Sequence, residues 1–272
     1  MTGHARLRVA IAGLGAIGRA LAVRLAAGEV PSVELVAVSA RHLDRAALFA
    51  ATLPHPVKVL GIDALEPEAD VVIECAPAAV LGEIIGPFLH ARKQALVLSV
   101  GALLSRPDLI DLARQTGGSI VVPTGALIGL DAMLAAAEGT IHSVRMVTRK
   151  PPGGLVGAPY LVDNQISIGA LTEPKRVFTG TAREAAKGFP ANLNVAVALA
   201  LAGVGPDKTV LEIWADPTVT RNTHTISVDA DSARFTMTIE NIPSENPKTG
   251  RIVAQSVTAL LRKMSATLKV GT

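Results

Sequence analysis

Three glycines near the start of the chain have the spacing Gly-x-Gly-x-x-Gly, which can hold phosphate groups. They are Gly13, Gly15 and Gly18 in the stretch RVAIAGLGAIGRALAVRL. Gly13 permits a tight turn, Gly15 lets the backbone approach a pyrophosphate, and Gly18 lets a helix pack closely on a strand. The amides of Ala16 and Ile17 would open that helix and face the phosphates. The pattern alone is weak evidence, because such turns also occur without a ligand.

A second group of polar residues lies in the stretch RNTHTISV. Period-two alternation places Asn222 and His224 on one face of a strand, together with Ile226 and Val228. A neutral imidazole with an ordinary pKa of about 6.5 can accept and return a proton, as a general base must. Asn222 could orient this imidazole or a substrate. The alternative is a structural histidine with hydrogen bonds, which is the commoner role on a buried face.

The elements around the glycines decide how the first pattern is interpreted. LRVAIAG is an apolar run typical of a buried strand, and AIGRALAVRLAAG has helical spacing and ends at Gly28. Further strands are predicted in VELVAVSA, HPVKVLG, ADVVIECA, QALVLSV and SIVVP, with helices from about Asp44, in AVLGEIIGPFLHAR and from Pro107. Apolar strands that alternate with helices indicate a parallel sheet covered on both faces. We therefore predict a doubly wound α/β Rossmann domain over residues 1–122 and a dinucleotide site at the glycines.

The end of the second predicted strand indicates which dinucleotide fits. A carboxylate there would bind the ribose 2′-hydroxyl of NAD, but the chain reads Ser39-Ala40-Arg41. A hydroxyl followed by a guanidinium favours a 2′-phosphate, so we predict that NADP is accepted, with Ser39 and Arg41 among its contacts. Ala76, after the strand ADVVIECA, is also expected to contact the cofactor. NAD remains open, since Arg41 could instead begin a solvated helix.

After PTGALIGLDAM the pattern changes to closely spaced strands. They are HSVRMVTRKPP, KRVFTGTA, TVLEIWADP, RNTHTISVDA and ARFTMTIENIP, and several alternate polar with apolar residues. This predicts a mostly antiparallel sheet with one wet face. An apolar helix, FPANLNVAVALALAG, lies among them and ends at Gly203. We predict a second α/β domain over residues 123–244, and an amphipathic helix over 245–272, with Pro247 near its start, that packs back on the first domain.

Composition argues against several other classes of protein. The 272 residues include 26 Lys and Arg against 23 Asp and Glu, without a basic block and with few aromatic rings, so a nucleic-acid partner is not expected. No uninterrupted apolar stretch is long enough for a membrane span or an export signal. The single cysteine, Cys75, excludes an internal disulfide and a cysteine-based metal site. We expect a cytoplasmic protein without a bound metal.

Seven segments of the chain resemble those of the L-aspartate dehydrogenases in order and rough spacing. They are GLGAIG, SVGAL, PTGALIGLDAM, TRKPP, FPANLNVAVALALAG, RNTHTI and NIPSENPKTGRI. The resemblance implies an N-terminal Rossmann domain, a second α/β domain that forms a homodimer, and NAD(P)-dependent oxidative deamination of L-aspartate. It implies that His224 is catalytic and that Ala126 and Asn194 contact the cofactor. It links the reaction to NAD biosynthesis, with transfer of iminoaspartate to a quinolinate-forming enzyme as one outcome.

Such a reaction needs groups that hold two substrate carboxylates. The candidate donors are Ser99 in SVGAL, Arg149 and Lys150 in TRKPP, and Lys187 before GFPANLN. Each could instead be a surface charge or a helix cap. The Ser39-Ala40-Arg41 end also departs from the acidic residue that strict use of NAD would favour.

Two alternative functions stay open at this point. A dehydrogenase of another small acid or a sugar would share the Rossmann half, although the Glu-Lys-Pro motif of the glucose-fructose oxidoreductase group is absent at SVGAL. A non-catalytic NAD(P)-sensing protein would keep the cofactor site and bind a partner through its second domain. That protein would have no reason to retain His224 beside Asn222.

Overall fold

The computed structural model describes residues 5–190, 193–243 and 250–271. The chain divides into two compact units. The first comprises Met1–Pro123 with Ala254–Val270, and the second comprises Thr124–Val253 with Gly271–Thr272. Within the described ranges, no helix combines the length and apolar character that crossing a bilayer requires.

The first unit is built on a six-stranded parallel sheet. Its elements are β1 (Leu7–Ala12), α1 (Ala16–Ala26), β2 (Val33–Ser39), α2 (Leu43–Ala50), β3 (Lys58–Val59), β4 (Val71–Glu74), α3 (Leu81–His90), β5 (Gln94–Val97), α4 (Val100–Leu103), α5 (Pro107–Thr116) and β6 (Ser119–Val121). The strand order is β3-β2-β1-β4-β5-β6. The predicted Rossmann domain is thereby confirmed, although β3 is only two residues long.

The candidate cofactor residues of the first unit lie at the carboxyl ends of the strands of this sheet. The order reverses between β1 and β4, and ligands of such sheets bind outside the carboxyl ends of the strands at that point. Gly13 directly follows β1, and Ala76 follows β4. Four consecutive residues of β4 are buried, because both faces of a parallel sheet are covered. The loops at this edge are therefore carried by rigid strands.

The second unit contains a five-stranded sheet of order β11-β10-β7-β9-β8. Its elements are α6 (Leu130–Ala137), β7 (Ile141–Lys150), α7 (Pro159–Asp163), β8 (Lys175–Thr181), α8 (Ala182–Gly188), α9 (Asn194–Ala202), β9 (Thr209–Ala215), β10 (Asn222–Ala230) and β11 (Arg234–Asn241). Only the β7–β9 pair of this sheet is parallel. The mostly antiparallel prediction is confirmed.

Helix α10 (Ile252–Ser265) carries the chain back into the first unit. Its Ala254, Val257 and Leu261 belong to the same buried cluster as Leu21 and Leu25 of α1. The helix ends at Ser265 and does not extend to residue 272 as predicted. The predicted start over residues 245–249, including Pro247, lies outside the described residues.

Candidate active site

The glycine turn after β1 uses its three glycines in two different ways. Gly13 has a φ of +106°, and a side chain there would collide with the carbonyl of Cys75. A side chain at Gly18 would collide with the carbonyl of Gly13. A Cβ added at Gly15 would meet nothing within 4 Å. The protein's own packing therefore requires glycine at positions 13 and 18, whereas at position 15 it leaves open space.

The amino end of α1 lies next to that open space. Gly15 is the N-cap, no side chain caps this end, and the first turn carries no acidic residue. The amides of Ala16 and Ile17 begin the helix, where the positive end of the helix dipole favours an anion. Open backbone at Gly15 beside these amides fits the pyrophosphate of a dinucleotide.

The end of β2 shows where the two predicted NADP contacts lie. The Ser39 carbonyl accepts a hydrogen bond from the Gly13 amide at 2.8 Å, which ties the strand end to the glycine turn. The Ser39 hydroxyl is buried and has no hydrogen-bond partner among the described residues. Arg41 is exposed, two residues before α2. An incoming 2′-phosphate therefore has direct access to the guanidinium, while the hydroxyl lies below the surface.

A buried carboxylate that sequence reasoning missed lies at the end of β4. Glu74 is fully buried and accepts hydrogen bonds from the amides of Ala76, Leu98 and Ser99 and from the Ser99 hydroxyl. Burial raises the pKa of Glu74, and the four donors oppose that shift. The Ser99 hydroxyl also contacts the Ala76 carbonyl at 3.2 Å, so its proton is already engaged within the protein. An acidic residue ending an otherwise apolar strand was the available signal.

The second unit gathers the polar residues around His224. Strand pairing sets His224 opposite Thr148, and the Thr148 hydroxyl lies 3.1 Å from the imidazole Nδ1. Lys150 follows two residues later on the same face of β7, and Asn222 precedes His224 on the same face of β10. His224 is 3% exposed and Lys150 4%. The predicted alternation of β10 is confirmed, and Thr148 is a contact that sequence reasoning missed.

Burial changes the protonation of this cluster. Burial and the neighbouring charge of Lys150 lower the pKa of His224 to about 3, well below the ordinary value of an imidazole. Burial lowers the pKa of Lys150 to about 8. His224 is consequently neutral at physiological pH, with one ring nitrogen unprotonated. Lys150 is the group of the pair that titrates near the physiological range.

Arg149 does not share the sheet face of His224. Arg149 projects from the opposite face of β7, since neighbouring residues of a strand alternate in direction. Its guanidinium binds Asp216 at 2.9 Å and stacks on Trp214 with 4.8 Å to the ring centroid. Lys187 is exposed in the last turn of α8. Of the basic candidates in TRKPP, the structure brings only Lys150 to the face of His224.

The resemblance implies two cofactor contacts in the second unit, Ala126 and Asn194, and their surroundings differ. The Ala126 carbonyl accepts a hydrogen bond at 3.0 Å from the side-chain amide of Asn241. Asn241 is buried and pairs with Asn222 across β10 and β11, so it lies on the face of His224. Asn194 is exposed and begins α9. Asn241 was also missed by sequence reasoning, because only strand register relates it to Asn222.

Comparisons with known proteins agree with both units. Residues 131–264 match the model "Aspartate dehydrogenase, C-terminal", and residues 13–123 match "Homoserine dehydrogenase, NAD binding domain". The chain is 61% identical to L-aspartate dehydrogenase 3 of Bordetella bronchiseptica, with all of both chains covered. It is 62% identical to L-aspartate dehydrogenase of Bradyrhizobium diazoefficiens, covering 100% of this chain and 96% of the relative.

A solved structure shares the fold over the whole chain. The aspartate dehydrogenase of Thermotoga maritima superposes with a TM-score of 0.76 at 24% identity, covering 99% of this chain and 100% of that one. Full-length similarity at the identities found for the two bacterial relatives goes beyond a shared fold. The chain belongs to the L-aspartate dehydrogenase family.

Proposed function

We propose that this protein catalyses the NAD(P)-dependent oxidative deamination of L-aspartate to iminoaspartate, which water converts to oxaloacetate and ammonia. The observation that carries the proposal is the buried, neutral His224, held by Thr148 on the face that also carries Lys150. The activity named for the full-length relatives supports the choice of substrate. NAD(P), when bound, supplies the hydride acceptor for Cα of the substrate.

In this proposal His224 moves protons through Nε2. If Nδ1–H donates to the Thr148 hydroxyl, the lone pair of Nε2 is free to accept a proton from the substrate ammonium. His224 passes that proton to solvent, and the same nitrogen then deprotonates the water that adds to the C=N carbon. It returns this second proton to the amine, which leaves as ammonia while the new hydroxyl loses its proton and becomes the carbonyl. Burial keeps the imidazole in its neutral form before the substrate binds. Asn222, on the same face, orients the substrate.

Lys150 holds one substrate carboxylate in this proposal. Its ammonium lies on the same sheet face as His224, where a carboxylate would form a strong charge-assisted hydrogen bond. Arg149 and Lys187 are weaker candidates, since Arg149 already binds Asp216 and Lys187 is exposed. If Lys150 holds the carboxylate, dicarboxylate binding should weaken as the pH rises above the pKa of Lys150.

We expect a dicarboxylate without an amine, such as succinate, to inhibit less well as the pH rises through about 8, the pKa of Lys150. Lys150 is charged below this pKa and neutral above it, so the inhibition constant should rise by up to about tenfold per pH unit there. Lys150→Met should bind succinate weakly at every pH. Inhibition constants from pH 6 to 10 for both proteins provide the measurement. A wild-type profile as flat as that of the variant would remove Lys150 from carboxylate binding.

The choice between NAD and NADP depends on Arg41 in this proposal. We propose that Arg41 binds the 2′-phosphate, because it is exposed beyond the end of β2. Arg41→Ala should lower kcat/KM for NADP⁺ by about ten- to a hundred-fold and leave NAD⁺ nearly unchanged. Steady-state kinetics with both cofactors check this. Equal losses would mean that Arg41 supports its loop, and no loss would favour NAD as the working cofactor.

A substrate screen tests the reaction itself. The near-ultraviolet absorbance of the reduced nicotinamide is followed with a panel of amino acids, small hydroxy acids and sugars, each with NAD⁺ and NADP⁺. We expect L-aspartate to reduce the cofactor, and we expect none of the other compounds to reduce it with similar efficiency. Preferential reduction with a hydroxy acid or a sugar would overturn the proposed substrate.

We propose a cytoplasmic homodimer that pairs through the exposed face of the second unit's sheet, opposite to His224, which carries Arg145, Arg176 and Trp214. Light scattering should then give twice the 28.0 kDa of one chain. The iminoaspartate is either hydrolysed in the site or passed to a quinolinate-forming enzyme, which would place the reaction in NAD biosynthesis.

A further inference from the structure

The Glu74 carboxylate connects two loops of the first unit. Its Oε1 accepts from the Ala76 amide at 3.0 Å and from the Ser99 hydroxyl at 2.9 Å. Its Oε2 accepts from the amides of Ser99 at 2.9 Å and Leu98 at 3.2 Å. Ala76 belongs to the loop after β4, and Leu98 and Ser99 belong to the loop after β5. One buried side chain therefore fixes the backbone of both loops.

The hydrogen bonds match the ionised form of this side chain. Three of the four partners are backbone amides, which only donate, and the fourth is a hydroxyl that also contacts the Ala76 carbonyl. A proton on Oε2 would point at the amides of Leu98 and Ser99 and displace a hydrogen bond, whereas the ionised carboxylate accepts from all four donors. An amide in place of the carboxylate would set an NH₂ group against N–H donors. The network thus requires an acceptor at both oxygens.

The two loops lie where this sheet type binds a dinucleotide. Glu74 pairs with Ala12 of β1, the residue before Gly13, and with Val97 of β5. It therefore lies at the carboxyl end of β4, beside the point where the strand order reverses. The half of the sheet formed by β4, β5 and β6 is the second mononucleotide-binding half of the fold. That half receives the nicotinamide mononucleotide portion of the cofactor.

We propose that Glu74 is a positioning residue, which preorganises the loops after β4 and β5 to seat the nicotinamide half of the cofactor. The inference rests on the proposed function, because it takes NAD(P) as the ligand. Ser99 belongs to the same hydrogen-bond network, since its hydroxyl donates to the Glu74 carboxylate. Preorganised loops lower the cost of ordering on binding, so their loss should weaken cofactor binding more than it slows the saturated enzyme.

The test compares the same chemical change at the two ends of β4. Glu74→Gln removes one acceptor at the carboxyl end. Asp70→Asn removes an acceptor at the amino end, where Asp70 binds Arg8 at 2.7 Å. We expect Glu74→Gln to raise the dissociation constant for NADH and NADPH, followed by their fluorescence, and the KM for cofactor by about tenfold. The kcat at saturating cofactor should fall less. Asp70→Asn should change cofactor affinity less than about twofold, even if its thermal midpoint falls equally.

A variant with both changes tests whether Glu74 and Ser99 affect cofactor binding through one network or independently. Ser99→Ala alone should weaken cofactor binding by about threefold, and it should add nothing to Glu74→Gln, because both changes break one network. If Glu74→Gln does not fold, the Ser99→Ala effect decides the question. Unchanged affinity in the folded Glu74 variant, or losses from the two changes that add fully, would overturn the proposal. Failure of the wild type to oxidise aspartate while binding NADH would contradict the proposed reaction and leave this comparison valid.

Discussion

Replacing His224 by alanine should lower turnover of L-aspartate by about 10²–10⁴-fold, the usual contribution of a general base. Its imidazole is 3% exposed, and burial keeps it neutral throughout the assay range. The dissociation constant for NADH should stay close to that of the wild type, because the glycine turn proposed to hold the pyrophosphate belongs to the first unit. The measurement is kcat for aspartate oxidation, with circular dichroism as the check on folding.

Thr148→Val is the matched control for that experiment. Valine keeps the shape of threonine and removes only the hydroxyl that lies 3.1 Å from the His224 ring. Loss of one such hydrogen bond should lower kcat by about three- to tenfold, well short of the His224 effect. A folded His224→Ala variant with near-normal turnover would remove His224 from the mechanism. A Thr148→Val loss as large as that of His224→Ala would assign the decisive role to the hydroxyl.

Gly15→Val should abolish binding of both NAD and NADP while the protein stays folded. Gly15 is exposed with an extended backbone, and a Cβ built there meets no protein atom within 4 Å, so we expect the fold to tolerate valine. The side chain fills the space that the pyrophosphate needs beside the first turn of α1. Fluorescence titration with NADH and NADPH is the measurement, and the thermal midpoint should change by only a few degrees.

Gly18→Val makes a useful contrast, because there a side chain would strike the backbone carbonyl of Gly13. We expect that variant to lose stability as well as binding. Unchanged affinity of folded Gly15→Val for both cofactors would mean that the glycine turn serves packing alone. The pair thus distinguishes a glycine that the ligand requires from a glycine that the fold requires.

The amino-acid sequence by itself determined the architecture and the family. Strand and helix patterns in the first 122 residues predicted the parallel sheet, because buried strands and amphipathic helices have different periodicities. The alternation in RNTHTISV placed His224 on the buried face of β10, since the period of a strand is independent of its partners. The glycine spacing and the motifs FPANLNVA and NTHTI also consist of residues close together in the chain, so they can be recognised without the fold.

Tertiary structure alone decided which polar groups lie together. Alternation already shows that Arg149 and Lys150 point to opposite faces, but only the register of β7 with β10 shows that Lys150 shares the face of His224. Glu74 and Ser99 are 25 residues apart in the chain and meet because β4 and β5 are neighbours. The shifted pKa values of His224 and Lys150 arise from burial by distant segments. Contacts and desolvation are properties of the folded chain, and no local pattern encodes them.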